Sequence, residues 1–134
     1  MEIKAEKVEQ ITLSLENRQG ILADLCAHLR DHRINIRAMT ALESGDAGSV
    51  LLVVDNPEQA KNSLDEAGVV FSCSHCLAVE MPNHPGGFAH VAHKLSLAGI
   101  NISLIYASAP GVAGRALGIF GVSDLEKALS LDWA

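Results

Sequence analysis

Aromatic residues are scarce: one Trp, one Tyr and three Phe make up 4% of the 134 residues. Basic residues are also few, 10 Lys and Arg against 16 Asp and Glu, for a net charge of −6. Without a basic stripe or stacking rings the chain is not expected to bind nucleic acid. Cysteine is limited to Cys26, Cys73 and Cys76. An odd number with no signal peptide points to a reducing compartment, the cytoplasm. The stretch between Lys94 and Arg115 carries no charge and has membrane-span length. It is interrupted by Gly99, Asn101, Ser103, Ser108, Pro110 and Gly111, so it reads as helix end, strand and turn, and no membrane partner is expected. A Gly-x-x-x-x-Gly-Lys phosphate loop is missing, as is a nucleophilic triad, since Ser72, Ser74 and His75 are only neighbours along a strand. Cys73-Ser74-His75-Cys76 is dense in metal-type ligands, with His84, His90 and His93 nearby in sequence. On a strand, however, Cys73 and His75 face away from Cys76, and no second Cys-x-x-Cys pair completes a site. No metal and no cofactor are expected, and the chain is read as non-enzymatic.

What the chain does have is a repeat. Glu16-Asn17-Arg18-Gln19-Gly20-Ile21-Leu22 returns as Pro82-Asn83-His84-Pro85-Gly86-Gly87-Phe88. Asn17 and Asn83, Gly20 and Gly86, and then Asn35 and Asn101 each lie 66 residues apart. A fixed offset marks a repeated structural unit. Two copies in a chain of this length fit two small domains, residues 1–74 and 75–134. With 49% hydrophobic residues there is enough apolar material for a core. Each half is marginal alone, since a 60-residue domain buries only about 60% of its unfolded surface.

The elements follow from periodicity. Residues 1–8 are mixed and charged and read as a lead-in. Ile11, Leu13 and Leu15 alternate with polar residues as a half-buried strand. Ile21, Leu22, Leu25 and Leu29 have helical spacing, and a strand is expected from Ile34 to Leu42. Residues 44–48 form a turn before the central strand Val50–Val54. Asp55 and Asn56 can cap the next helix, which has Pro57 in its first turn and carries Ala60 and Leu64. A fourth strand is expected over Val69–Cys73, and a fresh one at Cys76–Met81 opens the second copy. A helix through Phe88, Val91 and Leu95, a strand Ile100–Ser108, a turn 109–114, a strand Arg115–Phe120 and a helix capped by Ser123 or Asp124 follow. Each unit is thus β-α-β-β-α-β, an α+β, ferredoxin-like arrangement of a four-stranded sheet with two helices on one face. The second unit ends before its own fourth strand. That leaves the edge of Cys76–Met81 to be covered by another chain, the first unit or the N-terminal segment.

The Asn-x-x-Gly turn before a helix, followed by Ile34-Asn35-Ile36 and Ile100-Asn101-Ile102, resembles the ACT domain, a small regulatory module that usually binds amino acids. The chain as a whole is similar to stand-alone tandem ACT proteins over about residues 8–131. The resemblance implies a sensor that binds an amino acid or related metabolite where two ACT units meet. Its candidate ligand residues are Asn17, Gly20, Ile21, Asn35, Asn83, Gly86, Gly87 and Asn101. The chemistry suits them. A helix start offers unpaired N–H groups to a carboxylate, glycine permits close approach, and asparagine amides accept from an ammonium. Asn-x-x-Gly is also an ordinary turn in which asparagine only caps the backbone. In two places the copies depart from the pattern: Gln19 replaces the proline of the second copy, and Ile21 stands where the second copy has Gly87. The Pro85-Gly86-Gly87 loop is therefore the expected better anion-holding turn. Met39, Thr40, Leu104 and Tyr106 are candidates for setting specificity. A homodimer is expected. The alternative reading is a regulatory subunit that docks a partner enzyme, or oligomerises, through its sheet edge without any small ligand.

Overall fold

The structure is a computed structural model that describes residues 2–16, 18–45, 47–108 and 114–133. Its elements are β1 (Lys4–Glu16), α1 (Ile21–Asp31), β2 (Ile36–Ser44), β3 (Ala47–Val54), α2 (Pro57–Glu66), β4 (Phe71–Pro82), α3 (Gly87–Leu97), β5 (Ile102–Ser108), β6 (Arg115–Val122) and α4 (Leu125–Ser130). They divide between two compact units, Glu9–Ser74 and Met1–Val8 with His75–Ala134, called the first and second unit below. The fold is α+β, with ferredoxin-like units in tandem.

In the first unit the strand order is β2-β3-β1-β4. β3 runs antiparallel to both β1 and β2, pairing Leu13 with Val50 and Thr40 with Leu51. Alternation places Ile11 and Leu13 of β1, and Val50, Leu52 and Val54 of β3, in one core with Leu25 and Leu29 of α1 and Ala60 and Leu64 of α2. Leu25 and Leu29 are one helical turn apart, so both point to the sheet. Burying a leucine fully, as Leu29 is, stabilises by about 1.5–3 kcal/mol. The start of α2 is set as expected: Asn56 accepts a hydrogen bond from the Gln59 backbone N–H at 3.2 Å, and Pro57 opens the helix.

In the second unit the order is β1-β4-β6-β5. β6 is antiparallel to β4 and β5, pairing Val79 with Gly118 and Tyr106 with Ile119. Leu77, Val79, Met81, Val91, Leu95, Ile100 and Phe120 form its core, closed at one end by Ala128 and the buried Trp133. The Trp133 indole N–H donates to the Ala128 carbonyl oxygen at 2.9 Å, which satisfies the one polar atom the ring brings inside.

Two expectations are corrected. Residues 1–8 are not a lead-in, because β1 already begins at Lys4. This early part of β1 supplies the strand that the second unit lacks, so the N-terminal segment covers the edge of β4. Ile3 is buried in the second unit's core and Ala5 packs against it, which is how a segment rich in charge becomes a strand. The two strands expected at Val69–Cys73 and Cys76–Met81 are also a single strand, β4. No glycine or proline interrupts residues 71–81, so nothing in the backbone forces a break. The turn expected at 109–114 lies, apart from Gly114, outside the described residues.

Candidate functional site

The two repeated loops adopt the same backbone. Gly20 (φ 87°, ψ −7°) and Gly86 (φ 95°, ψ −10°) both precede their helices in the left-handed region, which only glycine enters cheaply. The hydrogen bonds repeat at the same offset. Ile21 N–H donates to Arg18 O and Gly87 N–H to His84 O, while Asp24 N–H donates to Gly20 O and His90 N–H to Gly86 O. Among the described residues neither helix start has a side-chain cap. Asn83 therefore does not cap α3; its own N–H donates to Gly114 O at 2.9 Å, and its exposed side chain has no partner among the described residues. Asn17 lies outside the described residues. The N–H groups of Leu22 and Ala23 in α1, and of Phe88 and Ala89 in α3, have no backbone acceptor among the described residues.

The two loops differ in what lies beside them. Gly87 is buried, and a β-carbon there would sit 2.6 Å from Pro82 O. Close packing of α3 on β4 thus accounts for this glycine. In the first loop Ile21 stands at that position and lines a cavity of about 440 Å³. Apolar Leu15, Ile21, Leu22, Ala41 and Val50 line it, together with Glu16, Arg18 and Glu43. Arg18 is half-exposed and lies 3.6 Å from Glu16 and 3.4 Å from Asp24. A lining that mixes charges of both signs with apolar side chains can hold a zwitterion with an apolar body. Leu42, Gly48 and Ser49 complete the wall. Sequence reasoning named none of these strand residues. Nothing local in the sequence marks them, because β1, β2, β3 and the loop meet at the cavity only in the fold.

The asparagines at the strand starts form a second repeated feature. Asn35 N–H donates to Asp55 Oδ1 at 3.0 Å, and Asp55 N–H donates back to Asn35 O at 3.0 Å. In the second unit Asn101 and Ser123 exchange the same two bonds at 2.9 Å. Each asparagine lies in a shallow depression, of about 400 Å³ at Asn35 and about 410 Å³ at Asn101, whose lining residues match one for one at the 66-residue offset. They do not share a pocket with their own unit's loop. Gly20 and Asn35 flank opposite ends of α1, whose 11 residues span about 16 Å. A single unit therefore brings Gly20 and Ile21 together, and separately Asn83, Gly86 and Gly87, but places Asn35 and Asn101 elsewhere.

Of the candidates for specificity, Met39, Thr40, Leu104 and Tyr106, none lines the cavity; on β2 that role falls to Ala41 and Leu42. The Tyr106 phenol is pushed above its ordinary pKa, first by burial and then by the neighbouring Cys76 thiol. Cys73 is exposed and Cys76 buried, as alternation along a strand requires. Among the described residues no cluster of His, Cys, Asp and Glu could hold a metal ion. Lys61 bridges Glu58 at 2.7 Å and Glu9 at 2.8 Å, hydrogen bonds that raise its pKa. No helix among the described residues is long and apolar enough to cross a membrane.

Comparison with known proteins agrees with the repeated geometry. The family model of the ACT domain pair matches residues 6–131. The chain belongs to that family. Among solved structures, a protein from Bacteroides thetaiotaomicron is similar with a TM-score of 0.85 and 26% identity, over 93% of this chain and 85% of that one. The ligand-free regulatory subunit of aspartate kinase from Thermus thermophilus is similar with a TM-score of 0.70 and 18% identity, over 96% and 93%. The corresponding subunit from Thermus flavus gives 0.65 and 16%, over 96% and 93%. At these identities the aspartate kinase subunits share the ACT-pair fold. A search of the curated proteins found no match.

Proposed function

We propose that this ACT domain pair is a non-enzymatic regulatory protein of the cytoplasm that binds a free amino acid or a similar small metabolite. The observation that carries this reading is the cavity at Gly20 and Ile21, whose lining combines apolar residues, charges of both signs and first-turn amide N–H groups of α1 that have no backbone acceptor among the described residues. Asn17, Gly20 and Ile21 are the ligand residues of this loop. Asn83, Gly86 and Gly87 are their equivalents in the second unit, and Asn35 and Asn101 are the amides at the strand starts. The same fold, in Thermus thermophilus, is a regulatory subunit of aspartate kinase, which supports an output through a partner enzyme here. Binding regulates only if the ligand prefers one arrangement of the protein over another. Thermal-shift screening against the twenty amino acids tests the reading. At a concentration 100 times the dissociation constant, a ligand raises stability by about 2.7 kcal/mol. A screen in which no amino acid moves the midpoint overturns it.

A second reading is favoured by the outermost strands. β2 and β5 end the strand order, and they expose Met39 and Leu42, and Ile105, respectively. Exposed apolar residues on an unpaired strand suit pairing with a second copy, as a homodimer, or with a partner enzyme. Sedimentation equilibrium of wild type and of Leu42→Lys tests this. A monomeric wild-type chain removes the homodimer, and dimerisation unchanged in Leu42→Lys removes β2 as its edge.

A further inference from the structure

In the second unit, side chains of its own crowd the strand position that corresponds to Val50 beside the first loop's cavity. The strand registers make the comparison residue by residue. Leu13 pairs with Val50 and Val79 with Gly118, so Gly118 holds the position of Val50. By the same ladders Met81 stands for Leu15, and Phe88, 66 residues on, stands for Leu22. A β-carbon at Gly118 would lie 2.7 Å from a ring carbon of Phe120 and 3.2 Å from both the Met81 terminal methyl and a Phe88 ring carbon. Glycine there admits two aromatic rings, whose centroids are 6.3 Å apart, and a thioether. The first unit has the smaller Leu22 at the place of Phe88, and Leu15, about equal in volume to methionine, at the place of Met81; both line an open volume of about 440 Å³. That volume is within the range of about 300–1,000 Å³ usual for small-molecule sites.

We propose that the first unit's cavity takes the side chain of an apolar amino acid, of the leucine, methionine or phenylalanine class, and that each chain binds one such ligand rather than two. This rests on the amino-acid reading above and narrows it. In the second unit the side chains that crowd the corresponding strand position, Phe88, Phe120 and Met81, are all apolar. A ligand side chain against Leu15, Ile21, Leu22, Ala41 and Val50 gains the ordinary transfer free energy of an apolar group leaving water. Its carboxylate meets the unpaired Leu22 and Ala23 N–H groups and the Arg18 guanidinium, and its ammonium meets Glu16 or Glu43. A charged side chain finds no partner among those five residues and has to be desolvated against them.

Calorimetric titration of the full chain with leucine, methionine and phenylalanine, and separately with lysine, threonine and aspartate, tests the proposal. The expected result is binding of at least one apolar amino acid, at least tenfold tighter than any of the other three, with one ligand per chain. Leu22→Phe transplants the second unit's residue and is expected to weaken binding at least tenfold. Ala41→Leu, on β2, does the same from a different element, so a folding failure of one variant leaves the other to decide. The reverse exchange, Phe88→Leu, is expected to leave affinity unchanged. Tighter binding of lysine, threonine or aspartate, two ligands per chain, or wild-type affinity in a folded Leu22→Phe or Ala41→Leu variant overturns the inference while leaving the amino-acid reading in place. Absence of binding by any amino acid overturns both.

Discussion

The Arg115 guanidinium donates a 2.9 Å hydrogen bond to the carbonyl oxygen of Glu2, 113 residues earlier in the chain. The same nitrogen donates to Glu80 O at 3.0 Å, so one side chain from β6 ties the N-terminal segment to β4 at the edge it covers.

Two measurements follow from that tie. Arg115→Ala should cost about 1–2 kcal/mol in urea unfolding, the usual worth of charge-assisted hydrogen bonds that are partly exposed. Deleting residues 1–8 removes Ile3 from the core and uncovers β4, and should cost at least about 3 kcal/mol. A deletion variant with wild-type stability would falsify the strand role of this segment.

Gly86 and Gly87 are adjacent but constrained for different reasons. At Gly86 a β-carbon meets open space, and the constraint is φ 95°. At Gly87 the constraint is the Pro82 carbonyl oxygen 2.6 Å away. Gly86→Ala should cost about 1–2 kcal/mol, and Gly86→Asn less, since asparagine tolerates the left-handed region. Gly87→Ala should cost about 1–3 kcal/mol through overpacking, and Gly87→Asn more still. Chemical denaturation of the four variants separates the causes; an asparagine tolerated equally at both positions contradicts them.

Arg33 is the one non-glycine residue with positive φ among the described residues, at 58°. Its repeat equivalent is Gly99, at φ 75°. Arg33→Gly should therefore stabilise the first unit by about 0.5–1 kcal/mol, the relief of left-handed strain less the added freedom of the unfolded chain. Gly99→Arg should destabilise the second unit by about 1–2 kcal/mol. Thermal midpoints of the two variants moving in the same direction would contradict this account.

Tyr106 is the single tyrosine, so ultraviolet titration of tyrosinate reports on it alone. Burial, then the Cys76 thiol, holds its phenol above the ordinary value of about 10. Above pH 10 the native state then keeps a proton that the unfolded state releases. Stability from this group is present in full below pH 10 and declines as pH rises toward the native value. The native chain should ionise at higher pH than the urea-unfolded chain, and Tyr106→Phe should flatten the alkaline loss of stability. Coincident native and unfolded titration curves would rule this out.

Much of the architecture was legible without coordinates. Local periodicity and the 66-residue offset identify Ile11 and Leu13, Leu25 and Leu29, and Val91 and Leu95 as core, narrow the helix caps to Asp55 or Asn56 and to Ser123 or Asp124, and reveal two copies of one unit. These features depend on neighbours a few residues away, and the chain order carries them. What the tertiary structure alone decided are contacts between residues far apart in sequence. It turned the charged segment at Lys4 into the strand missing from a unit that begins at His75, because an uncovered β4 edge and the pocket for Ile3 are formed by residues that arrive much later. It also set the two loops in different surroundings: Gly87 packs closely against the Pro82 carbonyl oxygen, while Ile21 borders an open cavity. That difference depends on Val50 against Gly118 and Leu22 against Phe88, pairs whose sizes matter only once the β-ladders bring them to the same volume.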